Sequence, residues 1–159
     1  MWRQDGTKLT GRYCTWQGQE YEVRSLRPRN GTFTLVVEGG PAPGPDWRTI
    51  RQPNQFAYPD TAYVRRVPAA EVSNLHEVTA TGSMGPGREL RILAEDRDGN
   101  LAVQSIDPMA ALYKRQLINN HGFEPFSRNE PLEHVPVSGW LPAGRIRDIN
   151  VETVPFDIG

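Results

Sequence analysis

Along residues 16–38, WQGQEYEVRSLRPRNGTFTLVVE, Tyr21 and Val23 alternate with Glu20, Glu22 and Arg24, and Phe33, Leu35 and Val37 form a second row at the same spacing. Alternation of this kind marks a strand with one face buried. Between the rows stands Arg29-Asn30-Gly31. Asn and Gly tolerate the positive φ of a tight turn, so the stretch predicts a hairpin. The pattern returns over residues 85–106, GPGRELRILAEDRDGNLAVQSI. There Leu90 and Ile92 alternate with Glu89 and Arg91, Asp98-Gly99 turns the chain, and Leu101 and Val103 run back.

The two stretches line up. Tyr21 and Val23 correspond to Leu90 and Ile92 at an offset of 69, and Gly31, Phe33 and Leu35 to Gly99, Leu101 and Val103 at 68. Further on, YVRRVPAAEV (63–72) faces LEHVPVSGWL (132–141), with Val67-Pro68 against Val135-Pro136, again at 68. A strand-like run follows each, LHEVTAT (75–81) and IRDINVE (146–152). Corresponding pieces in one order at nearly constant offset point to an internal repeat. Each copy holds about five short strands, and a unit so small must curl to cover its edges. The expectation is a mainly β protein made of two tandem small Src-homology-like β-barrels, residues 1–75 and 76–159, from an internal duplication.

The copies differ in their third connection. In the first it is a Pro/Gly loop, GGPAPGPDWRTIRQPNQFAYPDT, carrying Trp47, Phe56 and Tyr58. In the second it is DPMAALYKRQLINNHGFEPFSRNE, where Asp107 has the chemistry of a helix N-cap and Pro108 that of a first helical residue. Met109, Leu112, Tyr113 and Leu117 recur at helical spacing and Gly122 follows Asn119-Asn120, which predicts one helix over 108–120 in the second copy. Insertions on a compact scaffold are where binding surfaces gather. The candidate partner-binding residues are therefore Trp47, Phe56 and Tyr58 on the loop, and Lys114 and Arg115 on the outer face of the helix.

Composition agrees with many short strands: 15 Gly and 14 Pro in 159 residues, at 37% hydrophobic content. Sixteen Arg against two Lys point to a GC-rich genome such as that of an actinobacterium. The N-terminus, MWRQDGTKLTGR, has no apolar secretory core and no run reaches the length of a membrane span, so the expectation is a soluble cytoplasmic protein. The net charge of −1 divides into +3 over residues 1–75 and −4 over 76–159. Arg24, Arg27, Arg29, Arg48, Arg51, Arg65 and Arg66 make the first copy the basic one and raise a nucleic-acid-binding module as an alternative. These arginines alternate with acids in a mildly acidic chain, so nucleic acid is the less favoured partner.

Little in the chain carries chemistry. His76, His121 and His134 form no HExxH or HxH pattern, and each reads as structural, so no metal is expected. Cys14 has no histidine near it in sequence and reads as a packed small hydrophobe. Asp96, Asp98 and Asn100 imitate the start of a calcium loop, but strands flank them, and a hairpin turn is the better reading. Glu71 and Glu77 read as solvated carboxylates. With no GxSxG, P-loop or GxGxxG, neither an enzyme nor a cofactor is expected.

WQGQEYEVRSL, YVRRVPAAEVSNLHEVTAT and HVPVSGWLPAGRIRDINVE together resemble small actinobacterial immunity-type proteins of polymorphic-toxin loci, in which a WxGxEYxV hairpin and a VPxxEV turn recur and a GFEPFSR-like segment follows a helix. The resemblance implies a protein that binds and blocks a toxin domain made by its own cell, with an NAD-consuming or ADP-ribosylating toxin as the implied target. It carries no catalytic signature.

Overall fold

The computed structural model describes residues 1–51 and 60–156. The protein is mainly β, with antiparallel ladders and, among the described residues, one α-helix. Backbone contacts divide it into two compact units. The first comprises Thr10–Val78 with Met1 and the segment from Glu152 onward, and the second Trp2–Leu9 with Thr79–Val151.

Unit 1 holds β1 (Gly11–Trp16), β2 (Gln19–Val23), β3 (Thr32–Glu38), β4 (Arg48–Arg51), β5 (Thr61–Pro68) and the first part of β6 (Val72–Ser83). Its ladder runs β4-β5-β3-β2-β1-β6. Local chemistry closes the hairpins. Gln17 and Gly18 turn β1 into β2 with φ of 51° and 76°, and Asn30 and Gly31 do the same before β3 with φ of 53° and 74°. Across the second turn, Arg29 and Thr32 exchange backbone hydrogen bonds of 2.9 and 3.1 Å. The register sets Val23 opposite Leu35 and Phe33 opposite Val67. Cys14, Trp16, Val23, Phe33, Leu35, Trp47, Val67 and Leu75 form the core.

Unit 2 holds the end of β6, then β7 (Glu89–Glu95), β8 (Asn100–Ser105), α1 (Ala111–His121), β9 (Glu124–Pro125), β10 (Val137–Pro142) and the first part of β11 (Arg147–Pro155). Its ladder runs β6-β7-β8-β10-β9, with β11 paired to β6. Ile92 faces Val103, and Leu101 faces Leu141. The core gathers Leu90, Ile92, Leu101, Val103 and Leu141 from the strands and Met109, Leu117 and Phe123 from the helical connection.

Two sequence expectations need correction. Val67-Pro68 matches Leu141-Pro142, 74 positions on, rather than Val135-Pro136. In each unit this pair ends the strand that faces β3 or β8, and a 3₁₀ turn follows it, Ala69–Glu71 or Ala143–Arg145. Val135-Pro136 instead precedes β10. The helix begins at Ala111 and not at Pro108, with Ala110 at the N-cap and no side-chain cap. Asp107 is occupied elsewhere: one carboxylate oxygen accepts the Met109 N–H at 3.3 Å and sits 2.7 Å from the Lys114 ammonium. The far end follows expectation. Gly122 takes φ of 70°, and its N–H bonds back to the Ile118 carbonyl at 3.1 Å.

Candidate binding surface

Four of the seven arginines singled out in the first copy converge. Arg24, Arg27, Arg29 and Arg66 line one groove of about 550 Å³ in unit 1, with Ser25, Asn30, Thr32 and Thr34 between them. Local folding explains the arrangement. Arg24 leaves the end of β2, its N–H held by the Thr34 carbonyl at 3.0 Å. Arg29 enters the β2–β3 turn, and β5 brings Arg66 opposite Thr34, with a guanidinium nitrogen 3.5 Å from the Thr32 hydroxyl. Arg27 lies over the Phe156 ring at 5.5 Å. Among the described residues no acidic side chain lines the groove. Among the described residues none of these four arginines forms an ion pair.

The other basic residues of the unit are differently placed. Arg65 lies over Trp16 at 4.8 Å and reaches Asp46 at 3.7 Å, while Arg48 and Arg51 are exposed on β4. Beside the arginine groove, and sharing Arg24 with it, is a second groove of about 370 Å³ that includes Glu22, Glu38, Glu77 and Arg12. Burial, and then the charge of Glu22, pushes the Glu38 carboxyl up from an ordinary 4.5 to about 8.

The residues nominated from sequence are scattered. Trp47 is buried against Tyr21, ring centroids 5.6 Å apart, and fills the core instead of presenting an anchor. Phe56 and Tyr58 lie outside the described residues. Lys114 is not on the outer face of α1. It is fully buried, and its ammonium donates to the carbonyls of Leu132 at 2.9 Å and Val135 at 2.6 Å besides meeting Asp107. That cation ties the helix to the chain entering β10. Arg115 is exposed, as is Leu112, whose place in the helical spacing had put it with the apolar row.

Three further candidates, Cys14, His76 and Asp96, serve structure. Cys14 is fully buried, and burial followed by the Glu20 charge pushes its thiol up to about 11, which disfavours the thiolate a nucleophile needs. His76 is buried, with Nδ1 2.7 Å from the Asn74 carbonyl and its ring stacked on Tyr13 at 5.7 Å. Asp96 folds the β7–β8 turn by accepting the N–H groups of Asp98 and Asn100, each at 2.9 Å. Burial pushes its carboxyl up, but these bonds and the Asn100 side chain outweigh it and hold it below the ordinary value. Among the described residues no group of three His, Cys, Asp or Glu is placed to hold a metal ion. Nor is any described helix long and apolar enough to cross a membrane.

Composition showed the first half to be basic, but not which arginines meet. Their convergence depends on the pairing of β3 with β5, which joins residues 30 positions apart, such as Leu35 and Arg65. Compared with family models, with curated proteins and with solved structures, the chain matches none.

Proposed function

We propose that this protein is an immunity-type inhibitor that acts in the cytoplasm, binding a cognate toxin domain and neutralising it by protein–protein contact. The observation that carries the reading is the arginine groove: four guanidinium groups crowd one concave surface, and among the described residues no carboxylate lines it. Like charges gathered in this way repel, and an anionic partner relieves the repulsion. Guanidinium forks suit the carboxylates of a protein partner, and arginine is enriched among the residues that dominate interfaces. The toxin activity implied by the sequence resemblance is NAD-consuming or ADP-ribosylating.

The same groove supports a second reading, a nucleic-acid-binding module, because phosphates also match guanidinium geometry. Two features favour protein. Phe33, the aromatic side chain in the groove lining, is buried and offers no face to a base. A phosphate backbone leaving the groove past Arg24 meets the carboxylates of Glu22 and Glu77.

Co-expression with the toxin encoded beside it tests the reading. Wild type is expected to restore growth and to co-purify with the toxin, and Arg27→Glu/Arg66→Glu to lose at least about 2 kcal/mol, roughly thirtyfold in affinity. Failure of wild type to bind or protect overturns the proposal. RNA binding that persists at physiological salt in wild type and disappears in the double variant promotes the second reading.

A further inference from the structure

Within unit 2, a cleft of about 180 Å³ lies between the β6–β7 turn and α1. Leu90, Met109 and Leu117 of the core line it, with Met84 packed against them. Beside these apolar groups stands one fixed cation, Arg88, and the turn holds it there. The Met84 N–H bonds to the Arg88 carbonyl and the Arg88 N–H to the Gly85 carbonyl, each at 3.0 Å. The Gly85 N–H in turn bonds to the Ser83 hydroxyl at 2.9 Å. The guanidinium lies 4.8 Å from the centre of the Tyr113 ring of α1. It also packs on Gly85 so closely that a Cβ there would fall 2.9 Å from it.

This cation is incompletely satisfied. Its Nε is buried and donates no hydrogen bond. Among the described residues Arg88 enters no ion pair, and no acidic side chain lines the cleft. A buried donor without an acceptor is costly, and a ligand that brings the acceptor removes that cost.

The chemistry of the cleft selects its occupant. Through Nε and a neighbouring Nη, one guanidinium offers a side-on fork that matches the two oxygens and single charge of a carboxylate. A phosphate monoester, with about two charges and three acceptor oxygens, needs more cations than Arg88 alone. The apolar lining calls for an apolar body, and the volume bounds its size: a cavity of about 150 Å³ takes a benzene ring. We propose that unit 2 binds a small monocarboxylate with a compact apolar body, no larger than benzoate, its carboxylate on Arg88 and its body on Leu90, Met109 and Leu117. A small shift of the guanidinium across the Tyr113 face opens Nε to the ligand, and the two unbranched methionines adapt to the body. The site shares no residue with the arginine groove and is independent of the proposed function.

NMR titration of the isotope-labelled full chain with benzoate tests the site. Benzyl alcohol supplies the ring without the charge, and acetate the charge without the ring. Benzoate is expected to give saturable amide shifts at Met84, Arg88, Met109, Tyr113 and Leu117, and to bind at least about tenfold more tightly than either. Arg88→Met removes the cation and is expected to abolish the advantage of benzoate over benzyl alcohol with an unchanged circular dichroism spectrum. Arg115→Met, exposed on the same helix, should keep it. The absence of saturable shifts overturns the inference, as does equal binding of benzoate and benzyl alcohol by wild type. So do shifts confined to the arginine groove, or benzoate binding that Arg88→Met leaves undiminished. All but the last of these outcomes are read on wild type alone, so they decide the matter even if Arg88→Met fails to fold.

Discussion

Val23 faces Leu35 in unit 1 as Ile92 faces Val103 in unit 2, and the next strand places Arg65 opposite Leu35 but Gly139 opposite Val103. One ladder position thus has two solutions for covering a sheet. In unit 1 the chain supplies cover from within the ladder: Arg65 extends over Trp16, with its cation on the ring. In unit 2 the cover arrives with the helical connection. Gly139 leaves room for Phe123, which packs so closely that a Cβ at residue 139 would lie 2.3 Å from its ring. The contrast separates what the units share, a strand order and its inward residues, from what each third connection adds. It also locates charge. The groove that gathers four guanidinium groups belongs to unit 1, whereas the buried cation of unit 2, Lys114, is spent on fixing a helix.

The largest effect is expected at that lysine. Lys114→Ala leaves the carbonyls of Leu132 and Val135 and the Asp107 carboxylate without their cation. Asp107 is 38% exposed, which lightens the loss, and urea unfolding should show destabilisation of about 3 kcal/mol. A neutral result would mean that α1 is not anchored to the β10 entrance, and the contrast between the units would lose its basis.

Next comes Glu38 in unit 1. Its folded-state carboxyl titrates near 8 against an ordinary 4.5, so the native state keeps a proton that the unfolded chain has released. Stability therefore falls as pH rises through that window and levels off above it. Partial exposure limits the change to the order of 2 kcal/mol. Urea midpoints across the window should decline in wild type and stay flat in Glu38→Gln.

The smallest effects probe the shared position. Gly139→Ala forces Phe123 to move and should cost about 2 kcal/mol, while Arg65→Ala removes a half-exposed cation–π contact and should cost under about 1 kcal/mol. Equal costs would mean that the two positions do the same work, contrary to the comparison above.

The parts of this architecture that were legible in sequence are the local ones. Asn30-Gly31 and Asp98-Gly99 announce their hairpins because turn chemistry acts over a few residues, and the alternation of Leu90 and Ile92 names the inward face directly. The Val-Pro dipeptides misled because two residues recur by composition, whereas register is set by the facing strand, and only Leu141 faces Leu101. Helical spacing correctly identified Met109 and Leu117 as core, but it could not show that Lys114 turns inward, since that depends on carbonyls supplied 18 and 21 residues later. The arginine groove was hidden for the same reason. Its members are spread from Arg24 to Arg66, and only strand pairing brings them together.

The central claim is that an acidic partner reads the arginine groove of unit 1. NMR titration of the isotope-labelled protein with an oligoglutamate peptide tests it directly. Amide shifts are expected at Arg24, Ser25, Arg27, Arg29, Thr32 and Arg66, to weaken with salt, and to vanish in Arg27→Glu/Arg66→Glu while the rest of the spectrum is unchanged. Shifts centred on the exposed face of α1 around Arg115, or shifts that persist in the double variant, would contradict the account.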